Sequence, residues 1–192
     1  MTNKNINKEE PFDWSKRTCF SVLDLPFIEG LPTKEKVDAF NQWVKAHKDV
    51  YANKFVKMYH STDPSLPIES EGLKPTSTTR RRSYQSESGF IYLANTPERA
   101  HAFGMMGNGG RCTVYEVVVL IRKLLPDKDQ IINQRSVGKS LGDTLGDSVI
   151  FGGGLRIKGA LEPWQVRKFD TGDSSKPVKD APKKNKSTDF GM

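Results

Sequence analysis

Residues 112–121 read CTVYEVVVLI, and this run decides the fold. It is β-branched and almost continuously apolar, the pattern of a strand covered on both faces near the middle of a sheet. Cys112 opens the run and reads as a small buried hydrophobe. Working back toward the N-terminus, Gly89–Ala94 (GFIYLA) predicts a second strand. After it, Thr96 as N-cap and Pro97 at the first helical position predict a helix that Gly104 closes after two turns. Leu66–Leu73 (LPIESEGL) predicts a short helix stopped by Gly72 as a left-handed cap, and Phe55–His60 (FVKMYH) a further strand.

Further out the signals change. Val37, Phe40, Trp43, Val44 and Tyr51 share one helical face, predicting an amphipathic helix capped by Thr33 and ending near Asn53. Phe12 to Leu31 carries scattered apolar anchors broken by Pro26 and Gly30, an irregular segment that packs on something else. On the other side, Met105–Arg111 predicts a glycine-rich loop and 127–147 a long one. Three short strands follow at Ser148–Phe151, Leu155–Lys158 and Val166–Phe169. Strand and short helix thus alternate twice before a cluster of strands, an α+β plan with few short helices and no βαβ crossovers. The expected organisation is a disordered 1–11, a helical extension over 12–53 packed on the domain, a domain over 54–170, and a disordered tail over 171–192.

The composition fits one domain with appendages: 192 residues, 35% hydrophobic and 28% charged, with 16 Gly and 11 Pro. A net charge of +7 and a pI of about 9.4 favour anionic partners such as nucleic acid or a dinucleotide, or serve solubility alone. Cys19 and Cys112, with three His, fall short of a zinc site, so no metal is expected. The N-terminal residues hold no hydrophobic leader and no stretch reaches 18 apolar residues; a cytoplasmic protein without a membrane partner is expected. Val137-Gly138-Lys139-Ser140 ends as a P-loop does, but Asn133 stands where its first glycine belongs. Neither a G-x-G-x-x-G turn nor a G-x-S-x-G nucleophile elbow occurs.

His60 is placed differently from the other histidines. It ends a strand immediately before a loop, where a rigid scaffold can present a side chain to a ligand; a structural role is the alternative. Tyr59-His60-Ser61-Thr62, with Gly72-Leu73-Lys74-Pro75 following, resembles the H-G-S/T … G-L-x-x-P opening of the diphtheria-toxin/PARP class of ADP-ribosyltransferases. Gly89–Ala94 is similar to their G-I/V-Y-F/L-A strand. Phe103 stands where the family has a second aromatic, and Val114–Val118 is similar to the next core strand. The likeness spans about residues 55–168.

This resemblance implies an ADP-ribosyltransferase-like fold of two small packed, antiparallel-rich β-sheets preceded by an N-terminal helix. It implies an enzyme that uses NAD⁺ as substrate, without a metal, and passes ADP-ribose to a macromolecular acceptor, protein or nucleic acid, as a monomer. His60 would hold the adenosine ribose, and Ser61, with Thr62 beside it, would grip the nicotinamide amide. Tyr92 and Phe103 would sandwich the nicotinamide ring. Arg80, in the Arg80–Arg82 run, would clamp the diphosphate, unless that run is simply solvated. The bond to nicotinamide breaks through an oxocarbenium-like state that a carboxylate stabilises. The family's glutamate would fall near Ile157, and no acid is there. Asp147 is preferred in its place, with Asp143 and Glu162 as flanking candidates; a turn role for Asp147 is the alternative. Lacking the glutamate points to mono-transfer rather than polymer synthesis, or to a non-catalytic module that binds a protein or nucleic acid. An NAD⁺-dependent RNA 2′-phosphotransferase is the further alternative, disfavoured because residues 1–53 contain only Arg17. The transferase reading requires the imidazole of His60 and the phenol of Tyr92 to reach one cleft, and finding the two on opposite sides of the sheet would overturn it.

Overall fold

A computed structural model describes residues 11–15, 19–21, 33–47, 52–75, 87–107, 110–131 and 143–169. The chain is α+β. Its strands are β1 (Phe20–Ser21), β2 (Phe55–Thr62), β3 (Phe90–Ala94), β4 (Thr113–Leu120), β5 (Leu125–Pro126), β6 (Gly154–Lys158) and β7 (Val166–Lys168). They form one sheet of order β5-β6-β3-β2-β4-β7, antiparallel throughout, with β1 added parallel to the start of β2. The expected two packed sheets are therefore corrected to one. The join is narrow: β2 and β3 share the single register pair Tyr59↔Ala94, whereas β2 and β4 pair along their whole length from Phe55↔Leu120 to Thr62↔Thr113. One register pair is enough to hold the two halves in a common sheet, and past it the strands part.

Strand alternation sorts the side chains onto two faces. Val56 and Met58, Ile91 and Leu93, Tyr115, Val117 and Val119, and Leu155 and Ile157 fill the main core. Phe40 of helix α1 (Thr33–Ala46) and Ile68 of helix α2 (Ile68–Glu71) join them there. On the other face Tyr59, Ala94 and Val114 meet Ala100 of helix α3 (Pro97–Gly107). β4 is buried on both sides from Val114 to Leu120, which is why its sequence is apolar without alternation except at Glu116, whose carboxylate pairs with Lys57 and Arg167. Each fully buried aliphatic or Met side chain of this kind contributes roughly 1.5–3 kcal/mol.

Several local expectations meet a different outcome. α1 ends at Ala46 rather than near Asn53, and Tyr51 lies outside the described residues. α3 runs through Gly104 to Gly107. Gly104 does not stop the helix, because its role is clearance: a Cβ there would collide with Ser61 Oγ and crowd Cys112. Ser148–Phe151 is not a strand. Thr144 and Asp147 form a capping box that starts a helical turn at Leu145–Asp147, and a π-helical turn over Ser148–Gly152 continues it. Residues 128–131 are likewise helical within the expected loop. Gly72 ends α2 at positive φ, 75°, but with ψ −174° it is extended rather than in the left-handed helical cap expected, and it has a second duty. A Cβ on it would collide with the Leu161 carbonyl, which accepts from Leu73 N at 2.9 Å. Residues 1–10, the Arg80–Arg82 run, Val137–Ser140 and the segment from 170 onward lie outside the described residues. Among the described residues no helix is long and apolar enough to cross a membrane.

Candidate functional site

Where β2 and β3 part, His60 closes the gap. Its Nδ1 lies 2.8 Å from the carbonyl oxygen of Tyr92. A carbonyl only accepts, so Nδ1 carries the proton of this bond, and Nε2 is the nitrogen that accepts when the ring is neutral. Alternation gives the two residues opposite starting directions. His60 pairs with Tyr115, whose side chain is in the main core, and follows Val56 and Met58 on that face. Tyr92 lies between the core residues Ile91 and Leu93 and so leaves β3 on the α3 face. The two side chains do not share a face of the sheet; they meet at its seam, ring against backbone.

The Tyr92 phenol enters a polar cluster on the α3 face of β3 and β6. Its hydroxyl donates to Asp129 Oδ2 and accepts from the backbone N–H of Glu87 at 2.8 Å. Arg156 is the register partner of Tyr92 on β6 and lies beside its phenol. Arg156 is only 4% exposed, a guanidinium that needs partners to stay charged. It donates from an Nη to Glu87 Oε2 at 2.6 Å, and its plane lies 4.2 Å over the Phe90 ring. Burial, and then the bond to Asp129, push the Tyr92 phenol above its usual range, so it stays protonated as a donor. Burial works against the charge on Arg156, but Glu87 and Tyr92 outweigh it and hold it firmly protonated.

Asp127, two residues before Asp129, is 8% exposed and takes the backbone N–H of Gln130 on Oδ1 at 3.1 Å. Burial pushes its carboxyl up to about 6; the nearby Asp129 adds to this, while the Gln130 bond and Arg156 oppose it.

The other expected site residues lie around this cluster. Ser61 donates its hydroxyl to the Ala100 carbonyl at 2.5 Å, so α3 already holds it. Thr62 pairs with Thr113 at the end of β2. Phe103 is 41% exposed on α3, and among the described residues no ring contact joins it to Tyr92. Asp147 is buried in the capping box, its carboxylate taken by the hydroxyl and N–H of Thr144. The neighbouring Gly146 N–H donates to Asn41 of α1 at 3.0 Å. Glu162 caps the short 3-10 turn Pro163–Gln165, and Asp143 is exposed. Arg80 is outside the described residues.

The carboxylates beside Tyr92 are thus Asp129 and Glu87, which the sequence reading did not single out. No local signal marked them: Arg156 alternates with the core residues Leu155 and Ile157 and reads as an outward position, yet it is buried on the α3 face of β6. Among the described residues no group of three His, Cys, Asp or Glu could hold a metal ion. No family model matches the chain, and no curated protein matches it either.

Proposed function

We propose that the chain is a mono-ADP-ribosyltransferase that moves ADP-ribose from NAD⁺ to a macromolecular acceptor and releases nicotinamide. What supports this reading is the adjacency of the motif residues, His60 near the end of β2 and Tyr92 on β3, joined by the 2.8 Å bond from the imidazole to the Tyr92 backbone carbonyl; against it, the two side chains leave the sheet on opposite faces. In this reading His60 would take the adenosine ribose and the Tyr92 ring the nicotinamide, which requires one of the two side chains to leave its face of the sheet. Stacking of this kind contributes about 0.5–1.5 kcal/mol beyond burial and orients the leaving group. The carboxylate role passes from Asp147, which is committed to its cap, to Asp129 beside the Tyr92 hydroxyl. A negative charge there stabilises the ribose cation as nicotinamide departs.

The test is incubation with labelled NAD⁺ and a mixture of protein and nucleic-acid acceptors, following both transfer and nicotinamide release. Wild-type activity lost by at least tenfold in His60→Ala and in Tyr92→Ala is the expected result. Equal signals from wild type and both variants, or none from wild type, sink the reading.

A non-catalytic binding module is the second reading, and a specific observation favours it. The hydroxyls of Ser61 and Tyr92 are both engaged within the fold, and residues 60 and 92 leave the sheet on opposite sides. Calorimetry without NAD⁺ binding, together with nucleic-acid binding that weakens as salt rises, would select this module.

A further inference from the structure

Three consecutive glycines, Gly152–Gly154, lead into β6, and each lacks a side chain where a polar side chain from elsewhere passes. A Cβ on Gly152 or Gly154 would meet Gln130 Oε1 at 2.7 or 2.9 Å, and a Cβ on Gly153 would collide with Cδ, Cζ and Nη1 of Arg99. Gly153 has a left-handed backbone, φ 64°, and both its polar groups are used. Its N–H donates to the Val149 carbonyl at 3.1 Å, and its carbonyl accepts from Asn95 N at 2.9 Å. Gln130 is accounted for by its own bond, from Nε2 to the Gly152 carbonyl at 2.7 Å. The Arg99 guanidinium is not. It lies against the Gly153 backbone and Arg99 is half-buried, yet among the described residues no carboxylate pairs with it and no acceptor takes its protons.

Two features set this side chain apart. Arg156 of β6 and Arg167 of β7 are each matched by a carboxylate, Glu87 and Glu116. Arg99 has none, and it stands in the first turn of α3, its backbone N–H capped by Thr96 Oγ1 at 3.2 Å, where the positive end of the helix repels a cation. Both costs are relieved by a negative charge, and a guanidinium fork fits phosphate oxygens two at a time.

We propose that Arg99 binds an anionic group, the diphosphate of the dinucleotide, and that the missing side chain at Gly153 is what seats its guanidinium. α3 brings Arg99 to the motif residues. The carbonyl of the next residue, Ala100, accepts the Ser61 hydroxyl at 2.5 Å, and Ala100 packs with Tyr59 and Ala94 where β2 joins β3. Ser61 follows Tyr59 by two residues and Tyr92 precedes Ala94 by two, so both leave the sheet on the side where α3 lies. The identity of the ligand rests on the transferase reading; the anion site does not.

The test is calorimetry with ADP, a diphosphate without nicotinamide, on the full chain at low salt. Wild type should bind ADP, and Arg99→Ala should weaken binding by about ten- to a hundredfold. Arg99→Lys should fall between them, because a point charge replaces the fork. Gly153→Ala should weaken ADP binding in the wild-type background and add nothing in the Arg99→Ala background, a non-additivity that a general loss of folding does not produce. Equal ADP affinity in wild type and Arg99→Ala, or no ADP binding by wild type, overturns the proposal. A Gly153→Ala loss of the same size in both backgrounds overturns the seating of Arg99. ADP binding that depends on Arg99 without any ADP-ribose transfer leaves the anion site standing and removes the transferase reading. Transfer from NAD⁺ with a KM that ignores Arg99→Ala does the reverse.

Discussion

The β2–β4 pair and the β3–β6 pair are built from strands of one sheet and differ in what they bury. β2 and β4 are registered over eight residues, and β4 is apolar on both faces from Val117 to Val119. β3 and β6 are registered over five, and their α3 face carries Phe90, Tyr92 and Arg156, tied to Glu87 and Asp129. The first pair gains most of its stability from area removed from water, and its buried carboxylate, Glu116 of β4, is held by Lys57 of β2 and by Arg167. The second spends part of its interior on groups that must satisfy one another, and such networks fix geometry more than they add stability. A fold that concentrates apolar burial in one half can carry a polar cluster in the other.

The largest effect that separates the halves is expected at Met58 of β2, fully buried in the main core beside Val117 of β4. Met58→Ala should cost about 2–5 kcal/mol by chemical denaturation. Nicotinamide release per folded molecule should stay unchanged; a parallel loss of activity would mean that the halves are not independent. Next comes Asp127. Its acid is raised from the ordinary 3.8 to about 6, so the folded state holds a proton that the unfolded state has released. The stabilisation is complete below pH 4 and is lost as pH rises to 6, a decline of up to about 3 kcal/mol. Asp127→Asn should flatten that decline, matching wild type at pH 4 and exceeding it at pH 8 in denaturant midpoint. A wild type whose stability rises from pH 4 to 6 would contradict the cause assigned. The smallest effect belongs to Asp147. Asp147→Ala removes a cap and should cost about 1 kcal/mol with NAD⁺ turnover intact. A hundredfold loss of turnover would return this residue to the site.

What could be read in the sequence follows the range of each signal. β3, β4, the Pro97 helix start and the helix end at Gly72 were legible because their causes lie within a few residues: apolar runs, a fixed φ, a missing Cβ. Ser148–Phe151 misled because four apolar-leaning residues suit a strand or a buried helical turn equally, and the capping box that decides between them begins at Thr144. Of the site, His60 and Tyr92 were visible through their motif, but their separation by the sheet plane depends on a register that no local pattern encodes. The bonds from Tyr92 to Asp129 and from Arg156 to Glu87 span 37 and 69 residues.

β1 is two residues long, yet its position has a consequence for association between molecules. β4 occupies one flank of β2 along its whole length, so Phe20 and Ser21 must cover the opposite flank, at Val56 and Lys57, below the point where Tyr59 meets Ala94. Removing the first 21 residues would leave that row of backbone amides and carbonyls open to strand addition by another chain. The N-terminal segment thus acts as a guard against aggregation on the most hydrophobic half of the sheet.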